Sequence, residues 1–377
     1  MANRWHDIEQ YGQSLWYDNM ARKFIGSGAL KNMIGEVGLK GITSNPAIFE
    51  KSISTGTEYD SDIQKFIREG KSTSEIYDLL TTEDIRAAAD VMREVYNETA
   101  GVDGYVSIEV NPDLAHETAS TVAAAKRLWE TVDRPNIMIK IPGTPAGIPA
   151  IREVLAEGIN VNITLLFGIE NYSQVAQAYI DALRQRLSKG QDITNIASVA
   201  SFFLSRVDTN IDKTLNEKIQ SDPNRAEEYR SLLGKAAVAN AKLAYERFQE
   251  IFYGQEFADL AAQGAKVQRC LWASVSTKNP DYRDVMYIEP LIGPETVTTV
   301  PDETIAAFAD HGEAANTLAL DMKSAHDVVD RLAAIGIDTE RVADELQVDG
   351  VKKFEDAFRN LTANLEKKRA VIEEAIA

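Results

Sequence analysis

Residues 137–143 read I-M-I-K-I-P-G. The run is short and almost wholly apolar, as a strand covered on both faces should be, and Pro142-Gly143 ends it. Alternate side chains of a strand face opposite ways, so Ile137, Ile139 and Ile141 share one face while Met138 and Lys140 share the other. Burying an ammonium group without a partner costs several kcal/mol. Two readings of Lys140 follow. Either the strand ends here and the lysine carries its head to water, or an apolar wall strips its proton and leaves a nucleophilic amine.

Eight runs of strand character lie between residues 12 and 295: 14–18, 39–43, 105–110, 137–141, 159–166, 196–201, 267–274 and 285–292. Most are β-branched or aromatic, and helical patterns separate most of them. After the fourth run, Thr144 reads as an N-cap with Pro145 at the first helical position. After the third, Asp113 reads as the cap of a helix carrying Leu114, Val122, Ala125 and Trp129. This alternation predicts an α/β fold, a single (β/α)8 barrel over about residues 12–300. Three segments are additional: a helical connection over 44–100, a charge-rich helical insertion over about 207–265, and a strand-free C-terminal extension over 301–377. The last ends in N-L-E-K-K-R-A-V-I-E-E-A-I-A, a helix suited to covering a barrel face. Without a tandem repeat or low-complexity linker, one decorated domain over 1–377 is the economical expectation.

The barrel reading aims Lys140 into the barrel near the end of its strand. The neighbouring runs do the same with Ser107 and Glu109, and with Asn160, Asn162 and Thr164. Asp18, Thr43, Ser44, Asn45, Ser201 and Ser274 stand near the ends of other runs. Barrel interiors are filled by branched apolar side chains, and active sites sit at the C-terminal strand ends. A polar convergence there argues against packing alone. A neutral lysine attacks a ketone to form an imine, whose protonated form is an electron sink for carbon–carbon cleavage. Carboxylates must then move protons for carbinolamine dehydration and for the substrate hydroxyl, and Glu109 and Asp18 are the available pair. Amides and hydroxyls such as Asn45, Asn162 and Ser201 suit a sugar. No metal is required.

Composition narrows the partners. The 377 residues are 44% hydrophobic and carry a formal net charge of −18, so nucleic acid and anionic membrane surfaces are repelled. An anionic metabolite then requires a few placed cations. No apolar run reaches membrane-spanning length, and M-A-N-R-W-H-D-I-E-Q has no signal-peptide core. Cys270 is the only cysteine, which excludes an internal disulfide and a cysteine-based zinc site. A cytoplasmic protein, monomeric or homodimeric, is expected.

The motifs G-I-T-S-N-P-A-I-F (41–49), V-S-I-E-V (106–110), I-M-I-K-I-P-G-T (137–144), V-N-I-T-L-L-F (161–167) and S-F-F-L-S-R-V-D (201–208) resemble those of transaldolases. The segment L-W-A-S-V-S-T-K-N-P (271–280) and the length resemble the longer bacterial branch, which also occurs fused ahead of a glucose-6-phosphate isomerase; this chain has no room for that half. The resemblance implies a cofactor-free barrel of the non-oxidative pentose phosphate pathway. Such enzymes move a dihydroxyacetone unit from sedoheptulose 7-phosphate to glyceraldehyde 3-phosphate, giving erythrose 4-phosphate and fructose 6-phosphate. By motif position, Lys140 resembles the imine lysine, Glu109 the glutamate acting through a water, and Asp18 the aspartate handling the hydroxyl proton. Thr43, Asn45, Asn162 and Ser201 match positions that hold the dihydroxyacetone portion, and Phe203 an aromatic at the site. Arg206 and Ser274 match phosphate-binding positions. A second phosphate arginine is expected two residues after Ser274, where this chain has Ser276; Lys278 supplies a point cation nearby without the bidentate fork.

Other features read structurally. G-S-G-A-L-K (26–31) lacks the third glycine of a dinucleotide fingerprint and reads as a turn. The four histidines lack metal spacing, Cys270 and Trp272 read as packing, and Arg269 as half of an ion pair at the barrel base. Two alternatives to a transferase remain: a class I fructose-6-phosphate aldolase and a noncatalytic sugar-phosphate-binding barrel.

Overall fold

The computed structural model describes residues 4–376. Met1–Asn3 of the start segment and the final Ala377 lie outside them. Eight strands close into a parallel barrel in chain order: β1 (Gln13–Asp18), β2 (Gly41–Thr43), β3 (Tyr105–Glu109), β4 (Ile137–Pro142), β5 (Val161–Leu166), β6 (Ser198–Phe203), β7 (Arg269–Ala273) and β8 (Thr296–Val300). β8 pairs with β1, so no edge is left open. The (β/α)8 barrel and seven of the eight strand positions match the sequence expectation. Ile137, Ile139 and Ile141 are fully buried beneath the outer helices, as the alternation required.

The eighth strand does not. Residues 285–292 form turns and a short 3-10 helix, Glu289–Leu291, while the strand is T-V-T-T-V at 296–300. Pro290 has no N–H to give a ladder. The segment instead covers the outside of the barrel: the Leu291 carbonyl accepts from Gln13 Nε2 at 2.7 Å and Trp272 Nε1 at 3.1 Å. β8 escapes a hydrophobicity reading because three of its five residues are threonines; two of them find partners, Thr296 Oγ1 donating to the Gly293 carbonyl and Thr299 meeting Thr43.

Two helix starts also shift. The helix after β4 runs Gly147–Ala156, and Thr144 Oγ1 accepts from Gly147 N at 2.9 Å without being its N-cap residue. Asp113 lies in a 3-10 turn, Pro112–Leu114, ahead of a helix that begins at Thr118. There the side chain of Asn111 caps the turn. The expected turn at 26–31 is present, with Gly28 at φ +82° between two helices.

The additional segments are helical as expected. Helices Pro46–Thr55, Asp60–Arg68 and Thr73–Glu98 fill the β2–β3 connection, and four more occupy Ser205–Ala262. The helix Thr339–Ile376 has 38 residues, roughly 57 Å at the usual rise. It lies across the C-terminal mouth of the barrel. Near its start, Glu340 accepts from Ile169 N at 2.9 Å and so caps the helix after β5. Gln347 Nε2 donates to the carbonyls of Gly143 and Leu165, and towards the far end Lys368 donates to the Ile53 carbonyl and pairs with Asp60. No helix of the described residues is long and apolar enough to cross a membrane.

Candidate active site

Strand register builds the site. Lys140 lies opposite Glu109 on β3 and Asn162 on β5, and Asp18 lies opposite Thr43. Register therefore aligns three inward residues, Glu109, Lys140 and Asn162, and sets Asp18 beside Thr43 on the neighbouring pair of strands. Lys140 Nζ is 3.4 Å from Glu109 Oε2 and donates to the Ser44 carbonyl at 3.1 Å. Only 6% of the lysine side chain and 4% of the glutamate side chain are exposed, so neither is a snorkelling surface group. Both Glu109 carboxylate oxygens are buried without a hydrogen bond from the described residues.

Burial pushes the Glu109 carboxyl up to about 7; Lys140 opposes that rise and the Asp18 charge adds to it. Burial also raises Asp18, against the pull of Lys140 and of Thr43, whose Oγ1 donates to it at 2.7 Å. Ser201 Oγ donates to Asn162 Oδ1 at 2.7 Å, and Asn162 Nδ2 donates to Ser107 Oγ at 3.0 Å, a chain that fixes the amide's orientation. Asn45 caps helix Pro46–Thr55 by accepting from Ile48 N at 3.1 Å and also borders the cavity.

A cavity of about 400 Å³ opens over Lys140. It is lined by Asp18, Thr43, Asn45, Ser201, Phe203 and, towards one end, Arg206, Ser274, Ser276 and Lys278. The Arg206 guanidinium lies 5.2 Å over the Phe203 ring, and its Nη1 is buried with no hydrogen-bond partner among the described residues. Ser274 adopts φ +54°, the left-handed region, and its Oγ stands 2.9 Å from Ser205 Oγ. Lys278 Nζ donates to Ser276 Oγ at 2.9 Å.

The cavity thus holds every candidate except Glu109 and Asn162, which stand behind Lys140. Asn160, expected inside with them, is instead at the base end. Its side chain bridges the Pro135 and Ile137 carbonyls and Ala197 N, tying strand starts together. Sequence reading missed Thr299 and Glu303, on and after β8, and Lys353, Phe354 and Ala357 on the C-terminal helix. Phe354 closes the cavity roof, 5.6 Å from Lys140 Nζ and 6.4 Å from the Phe203 ring. The available signal was D-G-V-K-K-F (349–354), a glycine interrupting an otherwise strong helix.

The structural readings of Arg269, Cys270 and Trp272 stand. Arg269 pairs with Asp103 at 2.9 Å at the barrel base. Cys270 is fully buried, its thiol pushed up to about 12 by burial. Trp272 is buried against Phe202. His311 and His326 pair with carboxylates, and no cluster of metal-ligating side chains occurs among the described residues.

A closed parallel barrel with a lysine–carboxylate pair under a polar cavity at its C-terminal mouth defines a (β/α)8 enzyme architecture. The chain belongs to the transaldolase/fructose-6-phosphate aldolase family, which matches residues 15–365. It is 49% identical to a transaldolase of Trichodesmium erythraeum over 98% of both chains. A Nostoc protein named transaldolase 2 is 49% identical over 96% of both, and a transaldolase of Mycolicibacterium smegmatis 46% identical over 93% of both.

Proposed function

We propose that this chain is a transaldolase, transferring a dihydroxyacetone unit from sedoheptulose 7-phosphate to glyceraldehyde 3-phosphate through an imine on Lys140. The observation that carries the reading is the buried Lys140–Glu109 pair beneath the cavity, in a chain whose relatives bear the name transaldolase along their whole length. Lys140 gives its extra proton to the Glu109 carboxylate, 3.4 Å away, and the free amine attacks the ketone carbon. The same proton then leaves with the carbinolamine hydroxyl as water, and the imine forms. A carboxyl poised near 7 suits both directions of this transfer.

Asp18 takes the proton of the hydroxyl two carbons away from the imine carbon, on the far side of the bond to be cleaved. The carbon–carbon bond breaks, its electron pair flows into the protonated imine, and the aldose leaves. The enamine attacks the incoming aldehyde, Asp18 returns its proton, and hydrolysis restores the amine. Thr43 orients Asp18, and Asn45, Asn162 and Ser201 hold the dihydroxyacetone hydroxyls. Phe203 and Phe354 keep bulk water from the enamine, which would otherwise be protonated and lost. Arg206, Ser274 and Lys278 take the phosphate. The enzyme works in the cytoplasm without a cofactor, as one decorated domain.

Acceptor dependence separates transfer from simple cleavage. With fructose 6-phosphate as donor, turnover should require added erythrose 4-phosphate or another aldehyde. Steady release of free dihydroxyacetone without an acceptor would instead assign a fructose-6-phosphate aldolase.

A further inference from the structure

The cavity end lined by Arg206, Ser274 and Lys278 contains a further cation, outside the motifs that carried the resemblance. Gly350 is buried inside the helix Thr339–Ile376, and a Cβ there would stand 3.0 Å from Leu165 Cδ2 and 3.6 Å from Arg206 Nη1. The missing side chain lets the helix pack directly against the Arg206 guanidinium. One turn further on, Lys353 lines the same cavity as Arg206, Ser274, Ser276 and Lys278. Lys353 Nζ pairs with Asp349 at 2.5 Å, on side chains that are 59% and 46% exposed. Asp349 is also the carboxylate whose charge supports Arg206. One acidic group therefore faces two cations at the mouth of an anion site, in a chain of net charge −18.

Resting on the phosphate subsite of the proposed function, we propose that Lys353 is a specificity-determining residue: it leaves Asp349 and binds the substrate phosphate together with Arg206 and Lys278. An exposed pair spaced by four residues on a helix is weak enough to exchange. A dianionic phosphate offers both cations a stronger partner than the single carboxylate. Lys353 thereby compensates for Ser276, which stands where the better-known branch has an arginine. The same exchange ties the helix that carries Phe354 to the occupied phosphate site.

The test uses Lys353→Met, with Lys352→Met as the neighbouring exposed control outside the cavity. Lys353→Met should raise the KM for fructose 6-phosphate about tenfold while kcat stays within about twofold, the pattern of lost ground-state binding. Turnover of unphosphorylated fructose should be unchanged, and Lys353→Arg should restore the wild-type KM. Calorimetric titration with inorganic phosphate needs no catalysis and should show the same weakening. Asp349→Asn should tighten inorganic phosphate. Equal losses with phosphorylated and unphosphorylated donors, or unaltered phosphate binding, would overturn the role of Lys353. Failure of imine chemistry would leave the phosphate titration intact and would count against the proposed function alone.

Discussion

The barrel contains two buried ion pairs, one at each end, and they are built to opposite designs. At the base, Arg269 donates to Asp103, to Ser14 Oγ and to the Val102 carbonyl, while Asp103 also accepts from Ser14 and Trp16. Each charged group there has its hydrogen bonds. At the mouth, Lys140 has one carbonyl, and Glu109 has only its 3.4 Å approach to the ammonium group. The base cavity is the larger, about 480 Å³ against 400 Å³, so size does not mark the reactive end. Satisfaction does. A saturated pair holds its charges in place, whereas an unsaturated one can pass a proton and accept a substrate.

The comparison breaks most readily at Glu109. Glu109→Gln keeps the shape and removes the proposed proton carrier, so kcat should fall by about 10²–10³-fold, the scale of general acid–base catalysis. The wild-type profile supplies the sign. Below a pH of about 7 the raised Glu109 carboxyl is already protonated and has no room for the lysine proton. In the wild type, kcat/KM should therefore rise with pH through about 7, and Glu109→Gln should lose that limb. A surviving limb of the same midpoint would assign it to another group.

Arg269→Met sharpens the other side. It leaves Asp103 buried without its cation, which should cost about 3–5 kcal/mol in urea unfolding. Activity per folded molecule should change by less than about twofold, because the base pair touches no reacting atom. A large loss of kcat with unchanged stability would mean that the two ends are not divided as described.

Much of this division was legible in the sequence. Strand alternation put Lys140, Glu109 and Asn162 on inward faces, and register then made them neighbours, because β3, β4 and β5 pair in chain order. Arg269, early in its strand, was readable as a base residue for the same reason. Asn160 was misplaced because alternation gives the face and not the depth: two residues before Asn162, it falls at the strand start. β8 was misplaced because its threonines look polar, whereas the apolar run at 285–292 is buried against the outside of the barrel. Lys353 and Phe354 reach the cavity from a helix that follows the barrel in sequence, and no local period announces where such a helix lies.

Borohydride trapping with fructose 6-phosphate, followed by peptide mass mapping of wild type and Lys140→Ala, tests the central claim most directly. A reduced three-carbon adduct on Lys140, absent from the folded variant, is the predicted result. A folded wild-type protein with no adduct on any lysine would contradict it, making the Lys140–Glu109 pair as structural as its counterpart at the base.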